Sequence, residues 1–148
     1  LALPHAVAPR GVLVADAGTA LSLTRIDHGG CFRGGRISAG VALQLQALHG
    51  ATAQLPAVLP KGLVPQAWPI NTETAMLEGC RRSTAAAIGQ AWRDLQAGEA
   101  TQRWGLWLTG GDAELLQPVL AEQQIEAVLA PDLAMQALAA LPGVGLLA

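Results

Sequence analysis

Residues 11–37 read GVLVADAGTALSLTRIDHGGCFRGGRI and predict three β-strands in a row. The first strand is the apolar run at 11–16, and the second is 20–26, where apolar and polar residues alternate. A turn over residues 27–30 leads into the third strand at 31–37. Because short turns join the neighbouring strands, the three are expected to pair antiparallel and to form a meander.

The remainder of the chain predicts helices that later alternate with strands. In order, the predicted elements are a helix at 40–49, an irregular loop at 56–69, a helix at 72–98, a strand at 104–109, a helix at 112–124, a strand at 126–129 and a helix at 132–141. The later strands are expected to be parallel, since helices connect them. An α/β chain of this order, three antiparallel strands plus parallel strands with helices, is characteristic of the ribonuclease H-like fold, which includes the half-domains of actin-like ATPases.

The composition excludes several classes of protein. The chain has 148 residues, of which 51% are hydrophobic and 14% are charged, so it is long enough for one folded domain and differs from a disordered chain. A net charge of −2 argues against a nucleic-acid partner, and no apolar run predicts a membrane span. Lys61 is the only lysine and lies in no Walker A motif, and Cys31 and Cys80 form no CxxC pair. A reduced, cytoplasmic protein is therefore expected.

Three glycine-rich segments carry the candidate chemistry. Residues 16–20 (DAGTA) end the first strand with an aspartate that can hold a cation, while Gly18 and Thr19 can admit and bind a phosphate. Residues 109–113 (TGGDA) lie between a predicted strand and a predicted helix, where the free N–H groups of the helix and the bare glycines favour an anionic or flat ligand. Residues 34–40 (GGRISAG) allow close approach of another backbone. Taken singly, each segment fits an ordinary feature at least as well: a hairpin, a tight turn whose aspartate caps the helix, or a β-bulge.

Two features of the long predicted helix concern its packing. Gly89 inside it lowers helix stability by about 1 kcal/mol relative to alanine, which favours a close contact at that position. Arg81 and Arg82 are most simply a solvated helix face, and an arginine at a helical dimer seam is the alternative.

The order of the motifs is more specific than any one of them. DAGTA is followed by GGRISAG, then by NTETAMLEG at residues 71–79 and by TGGD at 109–112. Together with residues 43–56 (LQLQALHGATAQLP), this order resembles the C-terminal half of type III pantothenate kinases, a family of the actin-like ATPase superfamily. The resemblance covers about residues 11–141.

The resemblance implies a reaction and a set of residues. The family transfers the γ-phosphoryl group of ATP to the primary hydroxyl of pantothenate, giving 4'-phosphopantothenate in the first step of coenzyme A biosynthesis. Its members use Mg²⁺ and a monovalent cation, K⁺ or NH₄⁺, and form homodimers. The residues implied by motif are Asp16 for the monovalent cation, Gly18 and Thr19 for the ATP phosphates, Gly110 and Gly111 for the adenosine, Thr72 for pantothenate, and Gly34, Gly35 and Gly40 for the inter-domain and dimer surfaces.

Two departures from the family pattern accompany the resemblance. Ala39 stands where the family usually has proline, which is expected to alter only local stiffness. The family's N-terminal domain is not in this chain, and with it are missing the DxGNT phosphate motif and the GxDR motif whose aspartate is the proposed general base. Residues 1–148 would therefore form the C-terminal ribonuclease H-like domain alone, without a catalytic base, and the isolated chain is expected to be inactive.

Two alternatives to the kinase interpretation stay open at this point. One is a non-catalytic, truncated relative that acts as a dimerising or regulatory accessory protein. The other is a plain α/β domain whose glycine turns are structural.

Overall fold

The computed structural model describes residues 11–61, 64, 66–99, 101 and 103–133. In chain order its elements are β1 (Gly11–Ala17), β2 (Ala20–Ile26), β3 (Phe32–Ala39), α1 (Val41–Ala51), α2 (Thr72–Gly98), β4 (Trp104–Thr109), α3 (Ala113–Glu122) and β5 (Val128–Leu129).

The described strands form one sheet in the order β3-β2-β1-β4-β5. β1 pairs antiparallel with β2, and β2 pairs antiparallel with β3. β4 lies parallel to both β1 and β5. The predicted meander and the predicted parallel strands are both confirmed, and with them the α/β, ribonuclease H-like fold.

The element bounds differ from the sequence predictions by a few residues. β3 continues to residue 39, where pairing with β2 extends the strand, and α1 continues through Gly50, so this glycine does not end the helix. β5 is only two residues long, because it pairs with β4 alone and only over those positions. As predicted, the described part of the loop at 56–69 holds no helix or strand. The predicted helix at 132–141 lies largely outside the described residues.

The core lies on the face of the sheet that the helices cover. Leu13 pairs with Leu106 and Ala15 pairs with Leu108, and all four side chains are buried. Since side chains alternate between the two faces of a strand, the residues between them lie on the opposite face. The buried residues of α1, α2 and α3 complete one continuous hydrophobic cluster with these strands.

Helix α2 is the longest element and begins and packs as predicted. The Asn71 side chain accepts a hydrogen bond from the backbone N–H of Thr74, with an N···O distance of 2.9 Å, and so caps the helix. A Cβ on Gly89 would lie 2.6 Å from Gln123 Oε1 and 3.2 Å from Ile125 Cδ1, which confirms the expected close contact. No described helix, α2 included, has both the length and the hydropathy that crossing a bilayer requires.

The prediction of a solvated arginine face is wrong for Arg81. Its side chain is only 5% exposed and forms an ion pair of 2.8 Å with the equally buried carboxylate of Glu78. The physical reason is that α3 packs over α2 at this point, where an Arg81 Nη1 hydrogen bond reaches the carbonyl of Leu115 at 3.4 Å. Arg82 is partly exposed and links Glu78 to Glu122 on α3.

Candidate functional site

The carboxyl ends of β1 and β4 lie side by side at one edge of the sheet. The strands are parallel neighbours, and Asp16 of β1 is paired with Thr109 of β4. Each strand leads directly into a turn, which we call the first turn (residues 18–19) and the second turn (residues 110–112). Open α/β sheets bind their ligands at this kind of edge, so the two turns define the candidate site.

A backbone hydrogen bond fixes the second turn against the end of β1. The N–H of Asp112 donates to the carbonyl oxygen of Ala17, with an N···O distance of 2.9 Å. Gly110 has a φ of +92°, and a Cβ there would lie 2.5 Å from that oxygen and 2.6 Å from Asp16 Oδ1. Packing and conformation therefore both require glycine at this position. At Gly111 a Cβ would meet nothing within 4 Å, so this glycine is the one that faces open space.

The N-terminus of α1 lies against the first turn. The N–H of Gly40 donates to the carbonyl of Thr19 at 2.9 Å, and a Cβ on Gly40 would overlap the carbonyl oxygen of Gly18. The first N–H groups of a helix have no intrahelical acceptor and carry positive potential, so α1 brings hydrogen-bond donors to this edge. The family resemblance implies an inter-domain or dimer surface for Gly40. The structure places it in the candidate site, whereas Gly34 and Gly35 lie in the edge strand β3.

The sequence predicts that the Asp112 side chain caps α3, and this prediction is wrong. Asp112 lies at the N-cap position of the helix. Its side chain makes no capping hydrogen bond, since its backbone is at φ −96° and ψ 4° and not in the extended region that presents a cap. The N–H groups of Leu115 and Leu116 bond to its carbonyl oxygen instead, both at 3.1 Å. Burial raises the pKa of this half-buried carboxyl, and the positive charge of Lys61 opposes that shift. The Asp112 carboxyl, which belongs to the second turn, is therefore not used in capping α3.

The donor set at the edge fits part of a cation site. Asp16 supplies an exposed carboxylate, and it lies on the open face of the sheet because its neighbours Ala15 and Ala17 are buried in the core. Carboxylate and carbonyl oxygens are the ligands that hard cations prefer. In the part of the chain that the structure describes, no three His, Cys, Asp or Glu side chains converge on a metal position. Among the described residues, the carboxylate of Asp16 is therefore the group best placed to contribute one oxygen ligand at this edge.

Thr72 lies at a different helix end. It is the exposed first residue of α2, directly after the cap Asn71. Within the described residues, no hydrogen bond joins Thr72 to either turn. Trp68 and Ile70, close by in sequence, are 92% and 100% exposed. Of the six residues predicted to contact a cation, the nucleotide or pantothenate, the structure thus brings together the five at the β1 end and the two turns, and it leaves Thr72 outside that group.

Comparison with known families gives one match that covers most of the chain. A family model described as "Type III pantothenate kinase" matches residues 1–94. A curated type III pantothenate kinase from Porphyromonas gingivalis is 38% identical over 111 residues, which are 74% of this chain and 45% of the relative. One from Herminiimonas arsenicoxydans is 36% identical over 118 residues, which are 79% of this chain and 46% of the relative. A relative of the same name from a Synechococcus strain is 38% identical over 129 residues, 86% of this chain and 52% of its own length. The chain spans about half the length of the curated relatives it matches.

Solved structures agree on the fold. A conserved Campylobacter jejuni protein described as a Baf family transcriptional activator superposes with a TM-score of 0.60 at 20% identity, over 88% of this chain and 56% of that one. The protein of the Alp12 filament superposes with a TM-score of 0.53 at 13% identity, over 82% of this chain and 42% of that one. At these identities the likeness concerns the chain's architecture.

Proposed function

Because this chain belongs to the type III pantothenate kinase family, we propose that it supplies the C-terminal half of an ATP-dependent pantothenate kinase. In that reaction the γ-phosphoryl group of ATP passes to the primary hydroxyl of pantothenate, and 4'-phosphopantothenate and ADP are formed. The observation that carries the proposal is the joining of two glycine turns and a helix N-terminus at the carboxyl edge of β1 and β4.

The first turn is suited to the phosphates of ATP. Thr19 is exposed at the tip of the hairpin, so its hydroxyl and the local backbone N–H groups are accessible to a phosphate oxygen. The N-terminus of α1 adds further N–H donors and positive potential beside it. This arrangement substitutes backbone donors for the lysine of a Walker A loop, since Lys61 belongs to no such motif.

The second turn is suited to the adenosine. Gly111 presents bare backbone to open space, which allows a flat group to lie against it. Gly110 has a different role, because the space beyond its Cα is filled by the end of β1. We assign nucleotide contact to Gly111 and the positioning of the second turn to Gly110.

Asp16 and the nucleotide would hold the cations. The exposed carboxylate at the end of β1 fits a monovalent cation, K⁺ or NH₄⁺, as one of its oxygen ligands. Mg²⁺, when bound with ATP, neutralises phosphate charge during transfer. The contribution of this chain is to fix the Asp16 carboxylate in place through the strand pairing of β1 with β4.

Thr72 would reach pantothenate through a dimer. It lies apart from the two turns, and the apolar side chains of Trp68 and Ile70 near it are exposed. Exposed apolar groups at a helix end are typical of protein interfaces. A homodimer that covers them would carry Thr72 toward the active site of the partner subunit.

We assign to this half of the site the positioning of ATP and the neutralisation of its charge, and we place the general base elsewhere. Phosphoryl transfer depends mainly on alignment and charge neutralisation, which the two turns, α1 and Asp16 supply. The proton of the pantothenate hydroxyl needs an acceptor, which we assign to the other half of the protein. The isolated 148-residue chain should bind nucleotide weakly and give no turnover.

The test compares the longer protein with the isolated chain in a coupled assay of ADP release. Thr19→Val in the longer protein should lower kcat/KM by roughly tenfold to a hundredfold, because one hydrogen bond to a charged phosphate is lost. Thr101→Val, a change at an exposed threonine of a turn distant in sequence from the site motifs, is the matched control and should leave the rate unchanged.

Two outcomes would contradict the proposal. Pantothenate-dependent ADP release by the isolated chain would show that the site does not need a second half. A longer protein with no turnover, yet with a stable dimer, would favour the accessory-protein alternative.

A further inference from the structure

A cavity of about 260 Å³ lies on the helix-covered face of the sheet, at the end away from the two turns. Its apolar floor includes Leu13 near the start of β1 and Leu23 in the middle of β2, together with Leu95 of α2. Asp16 and the candidate site stand at the other end of β1. The cavity is therefore separate from the proposed nucleotide site, and a ligand bound in it would be independent of the proposed function.

Three arginines and one aspartate line this cavity. The arginines are Arg25, Arg33 and Arg36, and the aspartate is Asp94. Arg36 Nη2 donates to Asp94 Oδ2 at 2.7 Å, and the other two arginines pair with carboxylates outside the lining. Each guanidinium has five N–H donors, so one carboxylate on each leaves several donors unused.

Arg25, which lines the cavity, and Trp104, which contacts Arg25, each hold a buried donor that has no acceptor among the described residues. Arg25 Nε and Trp104 Nε1 are fully buried, and neither makes a hydrogen bond in the described structure. The guanidinium carbon of Arg25 lies 5.3 Å from the centre of the Trp104 ring, so the two groups form one cluster. Both atoms can only donate, and a buried donor without a partner destabilises the fold. What this cluster needs is an acceptor.

The wall of the cavity at β3 is bare backbone. Gly34 has a φ of +105°, and a Cβ there would meet nothing within 4 Å. A β-bulge between β2 and β3 at this point turns the edge strand and brings Arg33 and Arg36 to the same cavity. The glycine leaves room for a ligand between these two side chains.

We propose that this cavity binds a small phosphate monoester, with the phosphate among the three arginines and a short apolar group on the leucine floor. The oxygens of a tetrahedral phosphate can accept hydrogen bonds from guanidinium groups that approach from several directions. A planar carboxylate instead accepts two parallel hydrogen bonds from one guanidinium group. The cavity is smaller than a typical drug-sized site, which limits the apolar part to a few carbon atoms.

The test is calorimetric titration of the full 148-residue chain with inorganic phosphate and with propyl phosphate at constant ionic strength. Both should bind saturably at millimolar concentrations. Propyl phosphate should bind more tightly, by about fourfold for each methylene that reaches the leucine floor. Equal affinity for the two ligands would overturn the assignment of the floor.

Matched variants locate the site. Arg36→Gln should weaken propyl phosphate binding by about tenfold. Arg36→Lys should restore only part of the affinity, because an ammonium group cannot form the two parallel hydrogen bonds of a guanidinium group. Since the Arg36 and Asp94 side chains are 56% and 43% exposed, the substitution should leave the fold intact, which a thermal melt checks. Arg93→Gln, on the exposed side of α2, is the control and should bind as the parent does.

A third variant separates this cavity from the nucleotide turns. Thr19→Val should remove any propyl phosphate that binds at the first turn, and it should leave the binding that Arg36→Gln weakens. Loss of binding in Thr19→Val with retention in Arg36→Gln would assign the phosphate to the first turn and overturn the proposal. The absence of saturable binding in the parent chain would also overturn it.

Discussion

Replacing Gly110 by alanine tests the claim that the second turn is fixed against the end of β1. The new Cβ would lie 2.5 Å from the carbonyl oxygen of Ala17 and 2.6 Å from its carbonyl carbon. Carbon atoms do not approach backbone atoms so closely, and neither partner is a flexible side-chain end. Either the second turn or the end of β1 must therefore move.

The expected cost has two contributions. A side chain at a positive φ, here +92°, costs about 1–2 kcal/mol. Forcing a methyl group into a packed position costs about 1–3 kcal/mol more. Gly110→Ala should therefore lower the free energy of unfolding by about 2–5 kcal/mol, a large share of the 5–15 kcal/mol that is usual for a domain. Nucleotide affinity should fall as well, because the turn that would contact adenosine is displaced.

Gly111→Ala is the matched control for this experiment. Its Cβ would meet nothing within 4 Å and its φ lies outside the left-handed region, so alanine should change stability by less than about 1 kcal/mol. Urea unfolding of both variants measures stability, and titration with a fluorescent ATP analogue measures binding. Equal stability of the two variants, or no loss in Gly110→Ala, would refute the argument from close packing.

Three further predictions concern other parts of the fold. Gly40→Ala at the N-cap of α1 should weaken nucleotide binding and lower the free energy of unfolding, because its Cβ would overlap the first turn. Gly50→Ala within α1 is the control, and urea unfolding should show equal or higher stability for it. Glu78→Ala should cost about 3–5 kcal/mol in the same measurement, since it leaves a buried arginine without its partner. Hydrogen bonds from the Cys31 backbone and from Arg33 lower the pKa of Asp27 from 3.8 to about 2, so its contribution to stability is complete above pH 3.8 and is lost as the pH falls through about 2. Asp27→Asn should flatten the stability profile over that acid range, and an unchanged profile would contradict this assignment.

The fold could be predicted because the decisive signals are local. Apolar and polar residues alternate along β2, and Leu21 and Leu23 are indeed buried while Ser22 and Thr24 are less so. The turns between the first three strands are short, and this alone makes the pairing antiparallel. Alternation of later strands and helices then determines that β4 and β5 are parallel.

The detailed roles at the site could not be read from the sequence. The motif TGGD does not say that Gly110 packs against protein while Gly111 faces open space, because that difference depends on where the end of β1 lies. The motif also does not say that the Asp112 carboxyl makes no capping hydrogen bond to α3, because that depends on the backbone angles of the second turn. The prediction of a solvated Arg81 is wrong for a similar reason, since the burial of an arginine depends on a helix that packs over it from elsewhere in the chain.

The connections among the turns have a consequence for how the chain would bind a nucleotide. Backbone hydrogen bonds of 2.9 Å hold the first turn to Gly40 and the end of β1 to the second turn, and a third of 3.1 Å closes the hairpin from Gly18 to Ala20. Donors that are already held in place lose little conformational entropy when a ligand binds. All of these bonds lie within this chain, so the turns should keep their geometry without a second domain. In the proposed kinase, a second half would then close over the ligand and supply a base, and it would not be needed to build this surface.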